Sequence, residues 1–195
     1  MRPCSFIRLL LLLSHAGCAH HNRGAVVDVR GRPVADAQVA NGTTLSTTRG
    51  EKEEAVAEAL IRQRVDDWTK AIRAKDIDAV MSLYAPHIVS FDLDPPLRYA
   101  GTDSKRRAWQ EFFAVHTGLI TYEVRELGVT THGELAFVHS LNHVSGMLAS
   151  GHNSDMWVRW TACFRRIDGV WLVVHDNVSV PADLDHGQAV LNLTP

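Results

Sequence analysis

Four ionisable side chains have the residue types that acid–base chemistry requires: Asp92, His139, His143 and Asp176. A carboxylate beside a histidine raises the basicity of the imidazole and fixes its tautomer, so such a pair can accept and return a proton. His139 and His143 are four residues apart, which on one strand places them about 13 Å from each other. Because zinc binds nitrogen ligands at about 2.0–2.1 Å, the two histidines cannot share an ion. We predict no metal site and no cofactor, and the lack of a glycine-rich dinucleotide loop argues against an oxidoreductase.

Asp92 belongs to a short predicted strand over residues 87–93. The alternation of this segment places Asp92 on the same face as Ser90 and opposite Val89 and Phe91. An aspartate that projects into an apolar cavity holds its proton more readily than one in water, which suits proton transfer near neutrality. The alternative interpretation is that Asp92, which precedes a proline-rich turn, is only a strand-end residue.

Three amphipathic helices and four long strands are predicted to position these residues. The helices cover residues 51–75, 77–84 and 103–116, and the first has an apolar stripe at helical spacing, formed by Ile61, Val65, Trp68 and Ile72. The strands are predicted over residues 121–130, 135–147, 155–167 and 170–180. A sheet must bury one face, and the helices supply the cover, so the pattern predicts an α+β fold whose strongly curved sheet leaves a pocket.

The first residues have the layout of a secretory signal. Arg2 and Arg8 give a positive start, residues 9–13 are leucines, and small residues lead to Cys18. The end of this segment is similar to a lipoprotein signal, in which the cysteine becomes lipidated, although His15 stands where leucine is usual. We predict a signal peptide over residues 1–18 and an exported protein, either periplasmic or anchored to the membrane through Cys18. The alternative is a start codon assigned upstream of a cytoplasmic protein.

Residues 19–50 are predicted to form a linker with short strands at 25–29 and 37–39. Part of this linker resembles the opening of carboxypeptidase-regulatory-like modules, which implies a truncated remnant without chemistry. The folded body is predicted over residues 51–182, followed by a tail over 183–195. The composition, with 46% hydrophobic residues, 22% charged residues and a net charge of -2, is typical of a globular protein and excludes the basic face of a nucleic-acid binder.

Three motifs occur in the order of a known superfamily. Residues 74–85 read A-x-D-x-D-A-x-x-x-L-Y-A, Arg98-Tyr99-Ala100-Gly101 precedes a predicted helix, and residues 166–175 resemble an R-x-x-G-x-W-x-I-x-H hairpin. Together they resemble SnoaL-like, ketosteroid-isomerase-like domains of the DUF4440 type, in the nuclear transport factor 2-like superfamily. The resemblance implies a cone of three N-terminal helices on a strongly curved, mixed or antiparallel sheet. This scaffold serves isomerases, cyclases, dehydratases and assembly modules, so it does not fix a function.

The resemblance also implies a set of site residues. Asp92 falls where ketosteroid isomerases have their general base. On the strand over residues 134–144, four side chains are placed on the cavity face: Phe137, His139, Leu141 and His143. Asp176 shares that orientation by strand parity, so the carboxylates and the histidines are expected to converge. The alternative is that the histidines are ordinary hydrogen-bonded core or interface residues.

The donors that a ketosteroid isomerase directs at its developing enolate are not matched. Those enzymes use a tyrosine and a protonated aspartic acid. Here Trp68 stands at the tyrosine position and Ala162 at about the aspartic position. This departure argues against steroid isomerisation by the usual route, and it leaves Trp68 either as a ligand contact or as a core residue.

Two functions of different kinds follow from these observations. The first is a pocket for a small hydrophobic molecule, with cofactor-independent isomerase or lyase chemistry that uses Asp92 and His139 as an acid–base pair. The second is a non-catalytic, oligomeric binding or assembly module of the cell envelope. In either case the sheet face that carries His175 and Asn177 predicts a homodimer, because that face often packs on a second subunit in this superfamily.

Overall fold

The computed structural model describes residues 42–195, with side chains described from residue 48 onward. The predicted signal peptide, the lipidation of Cys18 and the predicted strands between residues 25 and 39 lie outside the described residues. Among the described residues, no helix combines the length and the hydrophobicity needed to cross a bilayer.

Three helices are present in the described part of the chain: α1 (Gly42–Ala74), α2 (Ile77–Met81) and α3 (Thr102–Val115). The predicted boundary of α1 at Glu51 is wrong, because the helix already includes the last residues assigned to the linker. This segment contains no proline, and an Arg49–Glu53 pair one turn apart, with Nε and Oε1 2.9 Å from each other, supports it. Asp76 caps α2 by accepting the Ala79 backbone N–H at 3.0 Å.

A mixed six-stranded sheet forms the other layer. Its strands are β1 (Tyr84–Phe91), β2 (Tyr99–Ala100), β3 (His116–His132), β4 (Leu135–Leu148), β5 (Asn153–Ile167) and β6 (Val170–Ser179). They are ordered β2-β1-β6-β5-β4-β3, with β1 and β6 parallel and the other neighbours antiparallel. Two further strands, β7 (Ala182–Asp183) and β8 (Gln188–Ala189), pair with each other where the predicted body ends and the predicted tail begins.

The two faces of the large sheet have different environments. The inner face, which packs against the helices, buries alternate residues of each strand together with the predicted stripe of α1. One row of paired residues crosses this face at Ser90, Asp176, Ala162 and Val138. The outer face carries the intervening residues and is largely exposed. Any strand side chain that serves a site under the helices must therefore lie on the inner face.

Candidate active site

A cavity of about 350 Å³ lies between the helices and the inner face of the sheet. Much of its wall is aromatic: Trp68, Tyr84, Tyr99, Trp109, Tyr122 and Trp160. Its volume is within the range of small-molecule sites, which are typically about 300–1,000 Å³ and mostly apolar with a few polar groups. The charged groups here come from β6, from α3 and from the segment that follows β1.

Lys105 is the centre of the polar groups. It lies in the first half of α3, and its side chain is only 2% exposed. The ammonium donates to Ser90 Oγ at 2.8 Å and to Asp92 Oδ2 at 3.0 Å, and its Nζ lies 3.4 Å from Asp176 Oδ2. It also lies 5.4 Å from the centre of the Tyr84 ring, within the range of a cation–π contact.

The charge of Lys105 is set by two opposing effects. Burial alone would lower the pKa of the ammonium, because a charge is costly in a medium of low dielectric constant. The carboxylates of Asp176 and Asp92 together outweigh burial and raise the pKa above its ordinary value. Lys105 is therefore a cation that holds two carboxylates, and it is not a nucleophilic amine.

The two carboxylates differ in their access to the cavity. Asp92 lies just beyond the end of β1, its side chain is 27% exposed, and its second oxygen accepts the Leu93 backbone N–H at 3.0 Å. Asp176 is 1% exposed, and its Oδ1 atom has no hydrogen-bond donor among the described residues. Asp92 is thus the carboxylate that a ligand can reach, and the predicted face of β1 with Ser90 and Asp92 inward is confirmed.

Two tyrosine hydroxyls form a second polar group in the cavity wall. Tyr84 Oη accepts the indole N–H of Trp109 at 3.2 Å, and Tyr122 Oη accepts an amide hydrogen of Asn142 at 3.1 Å. Burial, with a smaller contribution from Asp176, raises the pKa of Tyr84 well above its ordinary value, and burial likewise raises the pKa of Tyr122. Both hydroxyls therefore keep their protons and can act as hydrogen-bond donors.

Trp68 serves both as a core residue and as part of the cavity wall. It is 3% exposed, stacks on Trp160 with ring centres 5.1 Å apart, and meets Trp109 and Tyr122 edge to face. Its indole N–H approaches the Tyr84 hydroxyl without forming a hydrogen bond of acceptable geometry. The predicted interior position of Trp68 is confirmed, and the surrounding rings leave it little freedom to move.

The predicted orientation of four β4 side chains is wrong: Phe137, His139, Leu141 and His143. The inner face of β4 is formed instead by the intervening residues, Ala136, Val138, Ser140, Asn142 and Val144. A strand repeats every two residues, so a shift of one residue moves every side chain to the other face. Consequently His139 and His143 lie outside the cavity and do not meet Asp92 or Asp176.

His143 has a partner of its own on the outer face. Its Nε2 lies 2.8 Å from Asp155 Oδ1, and its ring stacks on Trp157 with the centres 4.9 Å apart. In the described part of the chain, the side chains of every carboxylate–histidine pair are exposed or partly exposed. No group of three or more potential metal ligands occurs among residues 42–195.

The sequence interpretation missed Lys105, although a signal for it exists. Lys105 precedes Trp109, Phe112 and His116 at steps of four, three and four, which is the spacing of one helix face. A lysine at such a position is normally assigned to solvent, because lysine is almost never fully buried unless it is paired. Its two partners, Asp92 just after β1 and Asp176 in β6, are far apart in sequence and are brought together only when the sheet forms.

Comparison with known proteins identifies relatives of this chain. Residues 61–183 match a family described as the SnoaL-like domain. An NTF2-like protein of unknown function from Pseudomonas putida KT2440 is 31% identical, with 72% of this chain and 98% of that chain covered and a TM-score of 0.67. No curated protein matches the chain at a significant level.

Two other solved structures share the fold at lower identity. A putative dehydratase from the NTF2-like family of Streptomyces avermitilis is 16% identical, with 65% of this chain and 97% of that chain covered and a TM-score of 0.58. A ketosteroid isomerase-like protein from Erwinia carotovora atroseptica SCRI1043 is 23% identical, with coverages of 62% and 93% and a TM-score of 0.55.

Proposed function

The chain belongs to the SnoaL-like domain family, and from that premise we propose that its cavity binds a small, largely apolar molecule on which Asp92 moves a proton. The observation that carries the proposal is the position of Asp92, a carboxylate held at the wall of an aromatic cavity and still partly exposed to it. Asp176 is almost fully buried and forms an ion pair with Lys105 instead. The reaction class is a cofactor-independent isomerisation or elimination.

The surrounding groups fit this role. Lys105 and the Leu93 backbone N–H bind one oxygen of Asp92 each, so the carboxylate is fixed in one orientation. When Asp92 removes a proton next to a carbonyl group, negative charge develops on the carbonyl oxygen. Tyr84 and Tyr122 are protonated donors in the same wall and can stabilise that oxygen. They replace the donors that the positions of Trp68 and Ala162 do not provide.

The acid–base partner differs from the expected one. His139 does not reach the cavity, so the pair of Asp92 with His139 is replaced by Asp92 with Lys105 and Ser90. Because Lys105 remains protonated, it orients the base and does not shuttle the proton. The proton that Asp92 removes is returned by Asp92 itself to another carbon of the ligand, or is lost to water after a leaving group departs.

Exchange of carbon-bound hydrogen tests this proposal without knowledge of the natural substrate. The probe is 2-tetralone in D₂O, and ¹H NMR follows the loss of its α-hydrogens with and without protein. We expect exchange above the buffer rate, and Asp92→Asn should slow the protein-dependent part by about 100-fold or more. Asp155→Asn is the matched control on the outer face and should leave the rate unchanged. Equal rates for wild type and Asp92→Asn would contradict the role of Asp92.

A second function is favoured by the outer face of the sheet. Three large apolar side chains are exposed there, with exposed fractions of 41% for Phe91, 54% for Leu135 and 48% for Phe137. We propose a homodimer through this face, which is also what a non-catalytic assembly module of this fold would need. Sedimentation velocity at micromolar concentration should give the mass of a dimer, and Phe137→Lys should give a monomer. A wild-type chain that sediments as a monomer would contradict this proposal.

A further inference from the structure

We infer that the molecule taken up by the cavity carries a positive charge, as a protonated amine or quaternary ammonium group on an apolar body. This ligand class is assigned to the cavity of the proposed function, so the inference rests on that function. Three features of the cavity support it: the balance of its charges, one buried polar atom without a partner, and the aromatic wall.

The cavity holds far more negative than positive charge. Its charged lining residues are four carboxylates, Asp92, Asp94, Glu111 and Asp176, and a single ammonium, Lys105. The whole chain has a net charge of only -2, so the lining is more negative than the protein as a whole. Walls of low dielectric constant strengthen the field of such a site and favour entry of a cation over entry of an anion.

The buried part of this charge is incompletely balanced. Lys105 is one ammonium between two carboxylates, and the Oδ1 atom of Asp176 has no donor among the described residues. A buried charge is costly unless it is paired and hydrogen-bonded. A second cation in the cavity would balance the remaining negative charge, whereas an anion would increase the imbalance.

The mouth of the cavity adds to the same field. Asp94 and Glu111 are exposed there, and neither forms an ion pair within the part of the chain whose side chains are described. Burial, followed by the carboxylates of Asp92, Asp94 and Glu111, raises the pKa of the Tyr99 hydroxyl at the cavity wall. Asp94 and Glu111 are not needed to balance the charge of Lys105, so these two carboxylates are available to an incoming cation.

The aromatic wall suits an organic cation better than a hydrated metal ion. Tyr99, Trp109 and Phe112 line the cavity together with the two mouth carboxylates, and Trp109 already lies 5.9 Å from the Lys105 ammonium. Ring faces attract alkylammonium groups, and they also provide apolar surface for the rest of the molecule. A metal ion would need three or more ligating side chains close together, and none of the described residues form such a group.

Three probes of nearly equal size test the charge preference: 2-phenylethylammonium, 2-phenylethanol and phenylacetate. Three of the five tryptophans line the cavity, so quenching of intrinsic fluorescence reports binding, and calorimetry gives an independent value. At low salt we expect the ammonium probe to bind about tenfold or more tightly than the alcohol, and the carboxylate to bind most weakly. Added salt should reduce the advantage of the ammonium probe, because the mouth carboxylates are exposed.

A double variant separates the charge effect from the cavity itself. Asp94→Asn with Glu111→Gln should weaken binding of the ammonium probe several-fold and leave 2-phenylethanol unchanged. Asp155→Asn removes one equivalent charge from the outer face and should change neither probe. If the alcohol binds as tightly as the ammonium probe, the inference is wrong but the cavity remains a ligand site. If none of the three binds, the inference falls together with the proposed binding function.

Discussion

The regions on the two sides of the same sheet contain similar sets of side chains in very different surroundings. Against the inner face, Lys105 of α3 and Asp176 of β6 are 2% and 1% exposed, and both line a cavity that tryptophans also line. On the outer face, His143 and Asp155 are 19% and 63% exposed, and His143 stacks on Trp157. Each side therefore has a carboxylate, a basic group and an indole ring, and burial is what distinguishes them.

This difference decides how strongly each group is coupled to the rest of the protein. In water, a lost partner is replaced by solvent, and an exposed ion pair contributes about 0–1 kcal/mol. Under the helices, removal of one partner leaves a charge in a medium where water cannot replace the interaction. The inner cluster is therefore fixed by the fold and suited to hold a base in one orientation. The outer pair can be lost without consequence for the cavity.

Replacement of the buried lysine is the most severe test of this contrast. Lys105→Met leaves Asp92 and Asp176 without their cation, and we expect the free energy of unfolding to fall by about 3–5 kcal/mol. Urea unfolding followed by circular dichroism measures the change. The matched control is Lys70→Met, which removes an exposed lysine that also has two aspartate partners, Asp66 and Asp67. If Lys105→Met loses no more unfolding free energy than the control, burial does not make the inner cluster more important for stability than an exposed one.

The pH dependence of the same variant sharpens the test. The pKa of Lys105 is raised in the folded state, where Asp176 and Asp92 outweigh burial, so folding favours the protonated lysine. Its contribution is therefore fully present below the unfolded pKa, near 10.5, and is lost only as the pH rises through the higher folded value. The stability deficit of Lys105→Met should stay constant between about pH 6 and 9 and shrink only in stronger alkali. A deficit that fades below pH 9 would contradict the raised pKa.

The sequence was informative about the fold because its signals extend over many residues. The helical stripe around Trp68 spans several turns, and the long strands are bounded by turns such as Asp168-Gly169, so an α+β fold could be predicted. The ends of the helices were harder to predict than their existence. The residues after Gly42 give no signal for the start of α1 that is as clear as an apolar stripe. The two-residue strand at Tyr99 is too short to give any periodic signal.

The site was less predictable because it depends on single residues. The inward position of Asp92 followed from its alternation with Val89 and Phe91, which places it on the same face as Ser90. On β4 the face implied by the family resemblance was wrong. The residues could not correct it, because Phe137 and Leu141 on one face are as apolar as Val138 and Val144 on the other, so hydrophobicity could not choose the register.

Two glycines, one on each face, provide a smaller and purely steric comparison. A Cβ atom at Gly146 would lie 2.9 Å from His116 Cδ2 and 3.1 Å from the Leu119 carbonyl oxygen. His116 is buried, and its Nδ1 lies 2.8 Å from the Phe112 carbonyl oxygen, so it cannot move aside easily. Gly146→Ala should therefore cost about 1–3 kcal/mol of unfolding free energy.

The corresponding change on the outer face should be nearly silent. A Cβ atom at Gly128 would lie 2.6 Å from His139 Cε1, which is a closer approach than at Gly146. The His139 side chain is exposed, however, and can rotate into solvent. We expect Gly128→Ala to change the unfolding free energy by no more than about 0.5 kcal/mol. Thermal unfolding of the two variants gives their order, and a larger loss for Gly128→Ala would mean that His139 is held in place by something on the outer face.

Another small effect is expected for the outer ion pair, and it also tests what covers that face. Asp155→Asn and His143→Ala, combined in a double-mutant cycle, should give a coupling energy of no more than about 1 kcal/mol that falls as salt is added. A coupling of several times that size would require the pair to be shielded from water. Shielding by a second subunit makes stability depend on protein concentration, whereas shielding within one chain does not. Repeating the cycle across a wide range of protein concentration therefore separates a dimer through the outer face from an unexpectedly strong pair in the monomer.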